Sequence, residues 1–148
     1  MRCLCCGKTI TNPEEERDGW HGSCIRRFFG TKQMPQIDLD EEKLQALAEK
    51  TASRGLTVPG VQKKISLHLS QEGGARLTLV DYPAGFILKP QTELIRYMPE
   101  AEDMVMRMAA IAGIAIVPHG LICMEREKDS YAYITRRIDR RISKRKTE

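Results

Sequence analysis

Cys3 and Cys6 stand three residues apart near the start of the chain, and His21 and Cys24 repeat that spacing further on. Two thiolates on a tight turn can face one ion, and Gly7 after the second relieves the turn's steric strain. His21 and Cys24, about one helical turn apart, can face the same ion. Soft sulfur ligands with one imidazole select tetrahedral zinc. Protein would fill all four positions, so such a site is structural, with no open position for catalysis. Cys5 is ambiguous: it could replace Cys3 or Cys6, or stand by as a bystander.

A second set of residues suits phosphate. Lys89 ends the apolar run Gly85-Phe-Ile-Leu-Lys89, and a charge there needs a partner or a ligand. A carboxylate near the start of the following helix could pair with it, Glu102 by preference and Glu100 as the alternative. Upstream, Gly60 between Pro59 and Val61 lets backbone N–H groups approach phosphate oxygens. Gln62, Lys63 and Lys64 add polar reach. Singly these signals are weak, since most glycine turns bind nothing and a strand-end lysine often snorkels to water. Together, a loop to cover phosphates and a strand lysine to hold them form a nucleotide-binding pair.

The elements that must position these groups follow from hydrophobic period. Ile25 to Phe29 reads as a short helix ended by Gly30, its apolar residues free to pack on the domain behind. Pro35 to Asp40 reads as a linker, and Asp40 to Thr51 as a helix with Asp40 as N-cap. Ile65, Leu67 and Leu69 alternate with Ser66, His68 and Ser70, the period of a half-buried strand. Gln71 to Gly74 is a hairpin turn and Arg76 to Val80 the returning strand. The Lys89 strand is halted by Pro90. Pro99 opens the strongest helix, where Ala101, Met104, Val105, Met108, Ile111 and Ala112 trace an apolar face expected to be buried. Ile114 to Met124 reads as a buried strand interrupted near Pro118, and Ser130 to Thr135 as another.

Composition narrows the class. With 148 residues the chain can hold one medium core, or a small unit plus a compact domain. No apolar run approaches the roughly 20 residues needed to span a bilayer. No signal-peptide apolar region follows Met1, so the expected compartment is the cytosol, where clustered cysteines bind metal in preference to forming disulfides. The net charge of +4 is uneven: residues 136–148 hold seven basic and two acidic side chains, and the remainder is near neutral. That basic tail could attract phosphate backbones. The near-neutral body and few aromatics argue against direct nucleic-acid binding.

The linear order is glycine loop, hairpin, strand lysine, helix carrying acid, two strands and a connector. It predicts an α+β fold: a protein-kinase-like N-lobe, with an antiparallel sheet and one main helix, preceded by a zinc-knuckle unit. The expected divisions are a knuckle over 1–35, a linker and helix over 36–55, the lobe over 56–138 and a basic tail over 139–148.

Five segments make the resemblance specific: Thr57-Val-Pro-Gly-Val-Gln-Lys-Lys64, Phe86-Ile-Leu-Lys-Pro90, Pro99-Glu-Ala-Glu-Asp103, Ala112 to Pro118 and Tyr133 to Arg140. In this order the chain resembles the N-terminal part of a HipA-family serine/threonine kinase, the toxin of bacterial toxin–antitoxin pairs. The cysteine-first start resembles short members that lack an extra N-terminal subdomain.

The resemblance implies that Gly60, Gln62 and Lys64 cover the phosphates of ATP, Lys89 holds them and Glu102 is the helix acid. The backbone of Arg136 to Ile138 would be the hinge that holds adenine. Thr57 falls where the family carries an autophosphorylated serine. Ile138 stands where phenylalanine is common. The family's catalytic aspartate and magnesium ligands come later, on a C-lobe, so these 148 residues are expected to be inactive alone. Expected partners are that C-lobe, in the same gene or a separate chain, an antitoxin, and a protein substrate such as an aminoacyl-tRNA synthetase. The alternative is a zinc-containing binding or regulatory module that contacts an antitoxin or nucleic acid.

Overall fold

The computed structural model describes residues 1–38, 63–80, 84–92, 94–125 and 130–139. The expected helix over 40–51 lies outside these residues, as do Thr57, Gly60 and Gln62. The described elements in chain order are α1 (Pro13–Glu16), α2 (Gly22–Phe29), β1 (Gln36–Asp38), β2 (Ile65–Ser70), β3 (Arg76–Leu79) and β4 (Phe86–Pro90). There follow α3 (Met98–Ile111), β5 (His119–Glu125) and β6 (Ser130–Arg136). The strands form one six-stranded sheet in the order β1-β3-β2-β4-β6-β5. Every pairing is antiparallel except β1 with β3. The fold is therefore α+β: a largely antiparallel sheet with one main helix, preceded by a small cysteine-rich unit.

Alternation drives the sheet. Ile65 and Leu67 of β2, Leu77 of β3 and Phe86 and Leu88 of β4 are buried, while His68 and Arg76 between them reach solvent. Their shared face meets α2, whose Ile25, Phe28 and Phe29 are also buried. Trp20, fully buried, joins Phe28, Phe29 and Phe86 in an aromatic cluster with ring centres 4.7–5.8 Å apart. Burying each such side chain stabilises the fold by roughly 1.5–3 kcal/mol. The cysteine-rich unit is thus part of the same hydrophobic core as the sheet. Gly30 ends α2 at φ 76°, the left-handed region where glycine carries no Cβ penalty.

Three local expectations are corrected. Residues 36–38, read as linker, form an edge strand parallel to β3; three residues are too few to show a period. Residues 114–118, read as strand, precede β5, and Pro118 has no N–H to give to a ladder. The apolar face of α3 points outward. Met104, Val105 and Met108 are 57–60% exposed and Ile111 is 88% exposed, whereas the buried residues of α3 are Pro99 and Asp103. Period locates the apolar side of a helix; it does not say that this side meets the sheet.

Among the described residues, no helix is long and apolar enough to cross a membrane.

Candidate metal centre and lysine–glutamate pair

The turn at Cys3–Cys6 is closed by backbone bonds from Gly7 N to Cys3 O and from Cys3 N to Lys8 O, both 2.8 Å. Gly7 takes φ 75°, which the turn requires and which other residues adopt only with strain. The Cys3–Cys6 turn brings its two thiols beside His21 and Cys24, which flank the start of α2. The four ligand atoms of Cys3, Cys6, His21 and Cys24 lie within 4.8 Å of one another. Ligands about 2.3 Å from a central tetrahedral ion would stand about 3.8 Å apart. His21 Nδ1 is 3.3 Å from Cys6 Sγ and 3.9 Å from Cys24 Sγ. The cluster can therefore hold a metal ion with little adjustment.

The imidazole is set for that task. His21 Nε2 lies 3.1 Å from Thr9 O, which can only accept, so Nε2 carries the proton and Nδ1 offers its lone pair to the thiols. The thiols oppose one another's ionisation. Burial, then the charges of Cys5 and Cys3, push the Cys24 thiol far up. A cation at the centre would remove that opposition. Burial would also raise Cys6, but hydrogen bonds from the Lys8 backbone and from neighbouring thiols hold it below the usual range.

Cys5 stands outside the four. Its Sγ points toward His119 O at 3.9 Å, and burial followed by the neighbouring Cys3 raises its thiol.

Lys89 lies on β4, with β2 on one side and β6 on the other. Its Nζ donates to Glu102 Oε1 on α3 and sits 5.4 Å from the centre of the Tyr133 ring. The two charged side chains are 21% and 30% exposed, so water screens the pair only in part. Glu100, the alternative partner, is not joined to Lys89; its Oε2 is buried with no hydrogen bond. Burial, then the charges of Glu102 and Asp103, push the Tyr133 phenol up, so it stays neutral around pH 7.

The remaining expected site residues are more scattered. Lys64 is exposed just before β2. Arg136 ends β6 opposite Phe86 and donates from Nη1 to Arg27 O at 3.1 Å. Ile138 is 73% exposed beyond the strand.

One polar group escaped the sequence analysis. Asp103 accepts from Arg107 Nε at 2.6 Å and from His119 Nδ1 at 2.9 Å. Burial would raise its carboxyl, but the His119 and Arg107 bonds outweigh burial and hold it below its ordinary value. The i, i+4 spacing of Asp103 and Arg107 was the available signal. Trp20 was likewise missed, though a lone tryptophan between cysteine pairs is a natural core anchor.

Residues 56–148 match the family model described as the HipA-like C-terminal domain. The chain belongs to the HipA-like family. The match covers β2 through β6 and α3, including Lys89 and Glu102; the metal-ligand candidates precede it. It also corrects a placement, because in the family's terms these residues belong to its C-terminal domain and not to its N-terminal part. No curated protein matches this chain.

Proposed function

We propose that this chain supplies the nucleotide-holding small lobe of a HipA-like serine/threonine kinase, stiffened by a structural zinc knuckle. In this reading the small lobe forms the leading part of the family's C-terminal domain. The observation that carries it is the ion pair between Lys89 on β4 and Glu102 on α3. A strand lysine oriented by a helix glutamate is the device that holds ATP phosphates in kinases. Gly60, Gln62 and Lys64 would cover those phosphates, and the backbone of Arg136 to Ile138 would meet the adenine. Thr57 would be the site of inhibitory phosphorylation. The catalytic base and magnesium ligands would come from a C-lobe, in the same gene or a separate chain. Zinc is favoured at Cys3, Cys6, His21 and Cys24 by three sulfurs and one imidazole nitrogen gathered within 4.8 Å of one another. The substrate by family analogy is a protein such as an aminoacyl-tRNA synthetase, and an antitoxin is the expected binding partner.

A second reading, a binding or regulatory module, is favoured by the outward apolar face of α3, since exposed apolar side chains at helical spacing suit a docked partner. One purification separates the two. The protein is isolated from its native host with whatever accompanies it, weighed intact and tested for ATP binding. A kinase C-lobe in the same or a stoichiometric partner chain, with saturable ATP binding, is expected. A lone 16.8 kDa species that binds no nucleotide would leave only the module reading.

A further inference from the structure

Helix α3 is held to the protein by an unusual kind of contact. Its apolar face is outward, and its buried residues are Pro99 and Asp103. Hydrophobic packing therefore contributes little to fixing it. Polar bonds must do so. Arg107 Nη2 donates to Leu4 O and to Cys5 O, both at 3.1 Å. These carbonyls belong to the turn between metal-ligand candidates Cys3 and Cys6. From the same guanidinium, Nε holds Asp103, whose other oxygen meets His119 at the start of β5. Leu4 O also accepts from Leu121 N at 3.1 Å, so the turn, β5 and α3 meet at one point. The fit at the turn is close: a Cβ on Gly7 would lie 2.7 Å from Arg107 Nη1. Glu102, which grips Lys89, is the neighbour of Asp103 in the helix.

We propose that Asp103 and Arg107 are positioning residues that tie α3 to the metal turn, so that metal occupancy of the turn sets the placement of Glu102 against Lys89. A bound ion cross-links the Cys3–Cys6 turn to His21 and Cys24 and fixes the two carbonyls as a rigid acceptor pair. When the ion leaves, the turn loses that cross-link and the carbonyls no longer hold Arg107 in one place. Without that clamp the helix is left with buried Pro99, the Asp103–His119 bond and the Lys89–Glu102 pair itself. Because a helix moves as a rigid rod, a shift at Arg107 carries Glu102 with it. The inference deepens the proposed function and rests on Lys89 and Glu102 being its nucleotide-holding pair.

Hydrogen–deuterium exchange on the zinc-loaded chain tests the coupling, with zinc content measured in parallel. Arg107→Ala should keep one zinc per chain and full protection of residues 1–30. Its α3 amides should exchange about tenfold faster or more, as expected for losing hydrogen bonds from a charged group. Met108→Ala, on the exposed side of the same helix, should leave α3 unchanged. Chelating zinc from the unsubstituted chain should speed α3 as Arg107→Ala does. Unchanged α3 protection in zinc-loaded Arg107→Ala would overturn the proposal, as would chelation that loosens residues 1–30 alone. If chelation unfolds every segment together, the zinc-loaded Arg107→Ala comparison decides. ATP affinity separates the two claims. Indifference of ATP binding to Lys89→Ala would remove the nucleotide role and leave the exchange result standing. Loss of ATP binding in Lys89→Ala, with unaltered exchange in Arg107→Ala, would remove the coupling alone.

Discussion

Gly120→Ala should destabilise this protein, although alanine normally suits a strand better than glycine does. Gly120 lies on β5 directly beneath the cysteine-rich unit. A Cβ there would stand 2.7 Å from Trp20 Cζ2, 2.9 Å from Trp20 Cη2 and 3.3 Å from the Cys5 Cα. The indole cannot swing aside, because it is fully buried between Phe28 and Phe29 and its Nε1 donates to Leu121 O at 2.8 Å. The Cys5 contact is backbone of the Cys3–Cys6 turn and yields no more easily. Overpacking of this kind costs about 1–3 kcal/mol. Replacing glycine returns about 0.5–1 kcal/mol through the unfolded chain. Because the ring is locked and the other neighbour is backbone, the cost here is taken at about 2–2.5 kcal/mol, so the net expectation is a loss of about 1–2 kcal/mol. Urea unfolding with zinc in excess should show it as a midpoint lowered by roughly 0.5–1 M at unchanged slope, for a slope of about 2 kcal/mol/M. Trp20→Phe, which withdraws the clashing ring atoms, should cost less in the Gly120→Ala background than in the unsubstituted protein. A Gly120→Ala protein as stable as the parent, or additive effects in the double variant, would refute the packing of the cysteine-rich unit on β5.

Other consequences are equally direct. Asp103→Ala leaves buried His119 and half-buried Arg107 short of an acceptor; discounting for the exposure of Arg107, it should cost about 2–4 kcal/mol in urea unfolding. A loss under about 0.5 kcal/mol would show that the network is dispensable. Met108→Ala should change stability by no more than about 0.5 kcal/mol, since its side chain is exposed; a loss of about 2 kcal/mol or more would mean the face is covered. Cys5→Ser should retain one zinc per chain by elemental analysis, whereas Cys6→Ser or His21→Ala should lose it under mild chelation. The reverse pattern would assign Cys5 to the ligand set.

Local arrangement was legible where it was written in consecutive or near-consecutive residues. The four metal-ligand candidates meet as their spacing suggested, because a turn and a helix start each fix two of them. The strand of Lys89 and the helix of Glu102 were also readable, and the order of elements brought them together. What sequence could not show was which side of α3 meets the protein. An apolar stripe with the correct period marked Met104 and Met108 for the core, yet Asp103 and Arg107 face inward, where the cysteine-rich unit offers Arg107 the Leu4 and Cys5 carbonyls and His119 meets Asp103. Those acceptors lie about a hundred residues away in sequence, where no local pattern can register them. The edge strand at Ile37 was invisible for a related reason: its pairing with Leu77 is long-range and its three residues carry no period.

The central claim is that Lys89, oriented by Glu102, holds the phosphates of ATP in a kinase. Its most direct test is phosphate transfer by the protein purified from its native host together with the proposed C-lobe, comparing the parent with Lys89→Ala. A fall of at least about a hundredfold, with zinc content and unfolding midpoint unchanged, is the predicted result. Transfer at the parental rate by the Lys89→Ala enzyme would contradict it.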